Sequence, residues 1–322
     1  MIITPEMNRI ALADPRAGHA LRAAAILEDV MLHYYNRDYV VQWDDREKYA
    51  AAAIKLEVDK KCDDLARAYL TSLYGMDDTW GFLGEESFDP AQREREYYWC
   101  EDPICGSLGY RKKTDNFGTS IALIHRGKPI IGVLNCPRFQ WTGLACLEPA
   151  PAAAWSENAD PPAGRRHLIV SANKRESESL RNIVDRLNPT KVTYAESVPV
   201  KSLGVIMGKF DLFYGLPSTL GGGRYNIWDI AATAAFAAVD PQCVLSDAWG
   251  EPISLSQESP RFTQGIIMAR NRDLWREAVE ATRARSGEIG PAPATASAPA
   301  PAPARKRRNY FVSGLRCTLC GA

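Results

Sequence analysis

The side chains best suited to chemistry are carboxylates placed where secondary structure should end. Tyr97-Tyr98-Trp99-Cys100 is an aromatic, strand-like run that terminates in Glu101-Asp102-Pro103-Ile104-Cys105-Gly106-Ser107. Such a strand delivers a carboxylate, with free backbone N–H groups at the Gly-Ser turn, to one place. Gly84-Glu85-Glu86-Ser87 lies upstream, and Trp228-Asp229-Ile230-Ala231-Ala232 opens a helix downstream. Clustered Asp and Glu suit Mg2+, which takes hard oxygen ligands in octahedral geometry. Two such ions about 4 Å apart can neutralise a phosphate dianion and activate the water that attacks it. Taken singly, each carboxylate has a plainer role: a Glu-Glu pair is commonly surface, an Asp-Pro a turn, a Trp-Asp helix start packing plus a cap.

The elements that must position these groups follow from periodicity and turn chemistry. Asp14-Pro15 is a helix start, after which Leu21, Ala24, Leu27, Met31 and Tyr34 recur on one face. A second helix carries Ile54, Val58, Cys62, Leu65, Tyr69 and Leu73 and stops at Gly75. Ser120–Ile124 and Pro129–Asn135 form a hairpin around His125-Arg126-Gly127-Lys128. The segment 148–164, dense in Ala and Pro, reads as a long connection. Beyond it strands and helices alternate: strands 167–171, 191–195, 211–214, 244–246 and 264–269, and helices 176–187, 200–207, 228–238 and 273–283. The pattern predicts mixed helix and sheet layers in two lobes, an α+β lobe 1–150 that carries Glu85 and Asp102 and an α/β lobe 151–287.

Taken together and in this order, Glu85-Glu86-Ser87, Asp102-Pro103-Ile104-Cys105-Gly106-Ser107 and Trp228-Asp229-Ile230-Ala231-Ala232 resemble the inositol monophosphatase family, whose core signature is Asp-Pro-Ile-Asp-Gly-Thr. The resemblance covers roughly residues 50–285. It implies an α+β, α/β fold, a layered αβαβα sandwich, and a hydrolase that cleaves phosphomonoesters with two or three Mg2+ ions. Glu85 would bind metal and orient the attacking water. Asp102 would be shared between metals, Ile104 would offer its backbone carbonyl, and the Ser107 hydroxyl would polarise the water. The N–H groups of Gly106 and Ser107 would face the phosphate, and Asp229 would hold a second metal beside the substrate. Asp59, in Leu56-Glu57-Val58-Asp59, would serve a further metal. Val170-Ser171-Ala172-Asn173-Lys174, and Lys201 ahead of Gly208-Lys209-Phe210-Asp211-Leu212, resemble the 3'(2'),5'-bisphosphate nucleotidase branch and place Lys201 against substrate. An inositol or sugar phosphate is the alternative substrate.

Cys105 stands where the family has a metal-binding Asp. A free thiol has a pKa of about 8.5, so the site loses a negative charge unless a metal removes the proton. A thiolate suits Zn2+ better than Mg2+, which makes Zn2+ or Mn2+ alternatives. Thr233 replaces a small Gly, and Arg111-Lys112-Lys113 add charge near the site. Two further readings follow: an impaired family member that binds a phosphorylated ligand or a partner protein, and a thiol nucleophile at Cys105. For the latter, none of the histidines 19, 33, 125 and 167 can be placed beside the thiol.

The chain of 322 residues balances 39 Lys+Arg against 39 Asp+Glu, so no global field draws nucleic acid or a membrane surface. Charged residues interrupt the first twenty positions, no run reaches a membrane span, and the eight cysteines are scattered, so the expectation is a reduced, cytoplasmic protein. The expected partners are a small phosphorylated substrate and, at most, a second copy in a homodimer. Residues 288–322, an Ala/Pro-rich linker followed by Arg305-Lys306-Arg307-Arg308 and Cys317-Thr318-Leu319-Cys320, are expected to be disordered, with one Cys-x-x-Cys pair being half a zinc site.

Overall fold

The first turns follow local chemistry. The Thr4 side chain accepts the Met7 N–H at 3.2 Å and starts α1 (Pro5–Ala13), a helix that periodicity did not reveal. Asp14 accepts the Arg16 N–H at 2.9 Å as α2 (Pro15–Tyr35) begins. The computed structural model describes residues 1–35, 41–43, 54–75, 77–157, 164–256 and 259–289. β1 (Val41–Trp43) and β2 (Ile54–Leu56) pair antiparallel, so α3 (Glu57–Tyr74) starts three residues later than its apolar stripe suggests.

β3 (Trp80–Gly84), β4 (Tyr97–Cys105), β5 (Gly118–His125), β6 (Lys128–Cys136), β7 (Trp141–Cys146) and β8 (Ala152–Trp155) form a sheet in that spatial order, and the short α4 (Ser107–Arg111) follows β4. β3 and β4 run parallel and the other pairs antiparallel. The expected hairpin is β5–β6, closed by Arg126-Gly127. The supposed connection after residue 148 instead contains β8. Its Ala-rich sequence carries no strand signature, and pairing with β7 makes it an edge strand.

The second sheet has the order β10 (Lys191–Ala195), β9 (His167–Ser171), β11 (Leu212–Gly215), β15 (Ile266–Ala269), β13 (Val244–Ser246). Its first three strands are parallel, and β15 is antiparallel to both of its neighbours. Around it lie α5 (Glu178–Leu187), α6 (Val198–Ile206), α7 (Ile227–Val239) and α8 (Arg272–Ile289), with β12 (Tyr225–Asn226) paired to β14 (Arg261–Phe262).

Composition explains the layering. All nine residues of α6 are buried, and α7 is almost wholly apolar, so both belong to an interior layer. They pack on the first sheet, and α6 also reaches the second. The amphipathic α2 and α3 cover the outer face of the first sheet, and α8, with α5 beside it, covers the second. The order is therefore helix, sheet, helix, sheet, helix, the expected αβαβα sandwich, within one compact unit, Met1–Gly290. The remaining residues, including the Cys-x-x-Cys pair, lie outside the described residues. Among the described residues no helix is long and apolar enough to cross a membrane.

Candidate active site

Asp102 and Cys105 are three residues apart on β4, a spacing that puts side chains on opposite faces of a regular strand. The strand is not regular there. Asp102 pairs with Ser120 and Cys105 with Gly118, so two residues of β4 face one of β5. This bulge, held by the Thr119 hydroxyl donating to the Pro103 carbonyl at 2.9 Å, turns both side chains into one cavity. Gly106 then adopts φ 95°, ψ 37°, a left-handed conformation that glycine takes without strain; an added Cβ would also lie 2.6 Å from the Asn116 carbonyl. Ser107 follows, and its hydroxyl donates to the Ile104 carbonyl at 3.1 Å.

Asp229 reaches the same cavity from the opposite side. It sits in the first turn of α7, where one carboxylate oxygen accepts the Asn226 N–H at 2.6 Å. The Ser120 hydroxyl on β5 donates to the Trp228 carbonyl at 2.8 Å and ties that helix start to the sheet. Glu85 arrives from the end of β3, with its N–H donating to the Glu101 carbonyl at 3.1 Å. The cavity, about 420 Å³, is lined by Glu85, Asp102, Ile104, Cys105, Gly106, Ser107, Lys201 and Asp229, all read from the sequence. Asp59 is not brought into it. It is buried on α3, where its charge acts on Cys62 and Glu101.

One oxygen each from Asp102 and Asp229 and the Cys105 sulfur all lie within 4.8 Å of one another. Burial, then repulsion from Glu85 and Asp229, pushes the Asp102 carboxyl well above the usual carboxylate range. Burial also raises Asp229, opposed by the Asn226 N–H. Asp102 Oδ1 is buried and accepts no hydrogen bond. A carboxylate pair crowded this way is costly unless a cation or a proton joins it, so the donor set fits a divalent metal. The Cys105 thiol is raised by burial and then by Asp102 and Asp229; it accepts the Val198 N–H at 3.3 Å and donates to Asp229 at 3.6 Å. It is therefore a protonated thiol. To ligate a metal it must give up that proton, which favours a soft ion over Mg2+. No histidine lines the cavity among the described residues.

Lys201 is buried, and its ammonium donates to Ser171 Oγ at 3.0 Å and to the carbonyls of Glu196 at 3.0 Å and Ala195 at 3.4 Å. Burial pulls its pKa down to about 8, against the raising effect of Cys105, Glu196 and Asp229. Its three donors are committed to the protein.

Sequence reasoning gave no role to several groups here. Glu101 is fully buried, neither of its oxygens accepts a hydrogen bond, and burial followed by the charge of Asp63 pushes its carboxyl well above the usual range. Its place beside Asp102 on a strand was its only signal. Glu196, Arg224 and Tyr225 also line the cavity, and only the preceding Gly221-Gly222-Gly223 loop marks Arg224.

Known proteins share this architecture. The Thermotoga maritima IMPase superposes with TM-score 0.67 at 15% identity, over 84% of this chain and 100% of that one. The extragenic suppressor protein suhB from Bartonella henselae gives 0.68 at 16% identity, over 84% and 99%. The fold is thus one shared with solved inositol monophosphatases. The Inositol monophosphatase family model matches residues 13–239, and the chain belongs to that family. The 3'(2'),5'-bisphosphate nucleotidase CysQ of Escherichia coli (strain K12) is 30% identical over 180 residues, 52% of this chain and 66% of the relative, so the chain spans just under two thirds of that protein's length.

Proposed function

We propose that the chain is a metal-dependent phosphomonoesterase acting on a small phosphorylated metabolite, a nucleotide 3'-phosphate or an inositol or sugar phosphate. The observation that carries this reading is the convergence of Asp102, Cys105 and Asp229 donors within 4.8 Å at a cavity that Glu85 and Ser107 also line. Family membership and the likeness to a bisphosphate nucleotidase support it.

Asp102, Asp229, Glu85 and the Ile104 carbonyl would hold the metal, with Cys105 as a ligand only after losing its proton. The bound ions would offset the phosphate charge and lower the pKa of the attacking water. The chain's own groups do the rest. Because the Ser107 hydroxyl hydrogen is spent on Ile104, its oxygen is left to accept a hydrogen bond from the attacking water, and the Glu85 carboxylate orients that water and takes its one proton. The Gly106-Ser107 turn offers N–H groups to the phosphate. Lys201 contributes charge from a fixed position and no donor of its own.

A second reading, an impaired relative that binds phosphorylated ligand without turnover, is favoured by one observation: the Cys105 sulfur lies 3.6 Å from an Asp229 oxygen in a buried, acidic setting that favours the neutral thiol and so leaves the centre one charge short. Phosphate release from 3'-AMP, adenosine 3',5'-bisphosphate, inositol 1-phosphate and fructose 1,6-bisphosphate, each with Mg2+, Mn2+ and Zn2+, separates the two. Turnover of any substrate with any metal supports the enzyme; binding without turnover across the whole panel supports the second reading.

A further inference from the structure

We propose that Asp63, on the outer helix α3, is a positioning residue for Glu85 and Asp102, holding the ends of β3 and β4 from behind the cavity. The proposal deepens the metal-site reading and rests on it for what the two carboxylates bind.

Neighbouring residues of a strand point to opposite faces of the sheet. Leu83 and Cys100 pack inward with the α6 and α7 layer, whereas Phe82 and Trp99 pack outward beneath α2 and α3. Gly84 and Glu101 therefore belong to the outer face, each one residue before a carboxylate that lines the cavity. They are also cross-strand partners in the parallel β3–β4 pair, and the Glu85 N–H donates to the Glu101 carbonyl at 3.1 Å. Both site carboxylates are thus anchored, one residue back, at a single point of the outer face.

Asp63 occupies that point. A Cβ on Gly84 would fall 1.8 Å from Asp63 Oδ1 and 2.9 Å from its Cγ, so the carboxyl group fills the space a side chain would take. On the other strand, after burial itself, the charge of Asp63 is what raises the Glu101 carboxyl most. Asp63 is buried, and α3 packs on both strands. Ser87 Oγ lies 2.8 Å from the same Gly84 position, so the chain that carries Glu85 turns back over the carboxyl group. Burial raises the Asp63 carboxyl, and the Ser87 hydroxyl opposes that rise.

The ordinary role of such a residue is helix packing, yet an apolar side chain would cover the sheet without the cost of burying a carboxyl group. What an apolar side chain lacks is an oxygen that can accept from the Ser87 hydroxyl while filling the gap at Gly84. Groups that stand behind metal ligands in this way set ligand orientation, and their loss shows as weaker metal binding.

The test is calorimetric titration of Mn2+, or of Zn2+ if Mn2+ does not bind, into the chelator-stripped full chain, well below the melting temperature of each variant. Asp63→Ala should weaken binding about tenfold, while Asp63→Asn, which keeps the shape and an acceptor oxygen, should stay within about threefold of native. Gly84→Ala, which drives the carboxyl group from the strand, should weaken binding as Asp63→Ala does. Combining Gly84→Ala with Asp63→Ala should regain part of the loss, because the new methyl fills the vacated space. Native affinity in Asp63→Ala overturns the proposal. Equal weakening in Asp63→Asn and Asp63→Ala also overturns it, by assigning the effect to charge. If Asp63→Ala does not fold, Gly84→Ala decides: native affinity there overturns the proposal, and a loss of about tenfold supports it. Native protein that binds neither ion fails the metal reading and this proposal with it, whereas native binding with indifferent variants fails this proposal alone.

Discussion

The Cys105 thiol donates to Asp229 across 3.6 Å, so the one non-carboxylate member of the Asp102, Cys105, Asp229 group is a hydrogen-bond donor to one of the two carboxylates. In the metal-free protein this relieves crowding among acids. Once a metal binds, the same thiol either loses its proton and becomes a soft ligand, or keeps it and leaves the ion one charge short.

Cys105→Asp should therefore raise Mg2+-dependent turnover and lower the Mg2+ concentration for half-maximal rate by about 10- to 100-fold, on the scale of losses seen when metal-supporting groups are removed. Cys105→Ala should keep the residual Mg2+ activity. Metal titrations of initial rate check this. Loss of a robust native activity in Cys105→Ala, unrescued by Asp, would make the thiol itself the reacting group.

Asp102→Asn should separate stability from function. Removing a buried, repelled carboxylate should leave the metal-free melting temperature unchanged or higher, while turnover falls by at least about 100-fold. Asp229→Asn should behave alike, since its amide oxygen can still accept the Asn226 N–H. Thermal melts beside rate assays read both quantities. Retained activity in both variants would remove these residues from the site.

The stability of chelated protein should fall as pH rises. Asp102, Asp229 and Glu101 are all raised in the folded state, so the folded chain binds more protons than the unfolded one. Their contribution is fully present below the ordinary carboxylate pKa of about 4 and is lost as pH climbs through the raised values. Lys201, lowered to about 8, works in the opposite sense, and its burial penalty eases only from pH 8 upward. Melting temperatures in chelator should decline from pH 5 to 7.5, and added Mn2+ should recover more at pH 7.5 than at pH 5. A flat or rising profile in chelator would mean that these buried carboxyls do not hold their protons in the folded chain.

Removing residues 291–322 should move the melting temperature by no more than about 2 °C, because an Ala-Pro run offers few side chains to pack. The cut belongs after Gly290, since α8 continues to Ile289, beyond its predicted end. Differential scanning of the two chains measures this, and a drop of several degrees would mean that the tail docks.

Much of the candidate site could be read in the chain because its side chains sit at or near element ends that announce themselves. The aromatic run before Asp102 and the Trp228-Asp229 helix start are local signals, and both residues reach the cavity. The β4 bulge was not legible, since the register shift depends on pairing with β5 and leaves no trace in spacing. β8 was hidden by Ala-rich composition, and Asp59 matched a motif yet does not line the cavity; it is buried on α3, where its charge acts on Glu101.

The central helical layer has a consequence for when the site can exist. Asp229 stands on α7 and Lys201 on α6, both of which touch the two sheets, while Asp102 lies near the end of a strand far earlier in the chain. No short stretch of chain holds even two of these groups in place. The candidate metal site is thus assembled only after the most non-local contacts have formed, late in folding. Metal uptake should therefore serve as a clock for completed folding: during refolding, tight binding should appear with the last phase and not with early secondary structure.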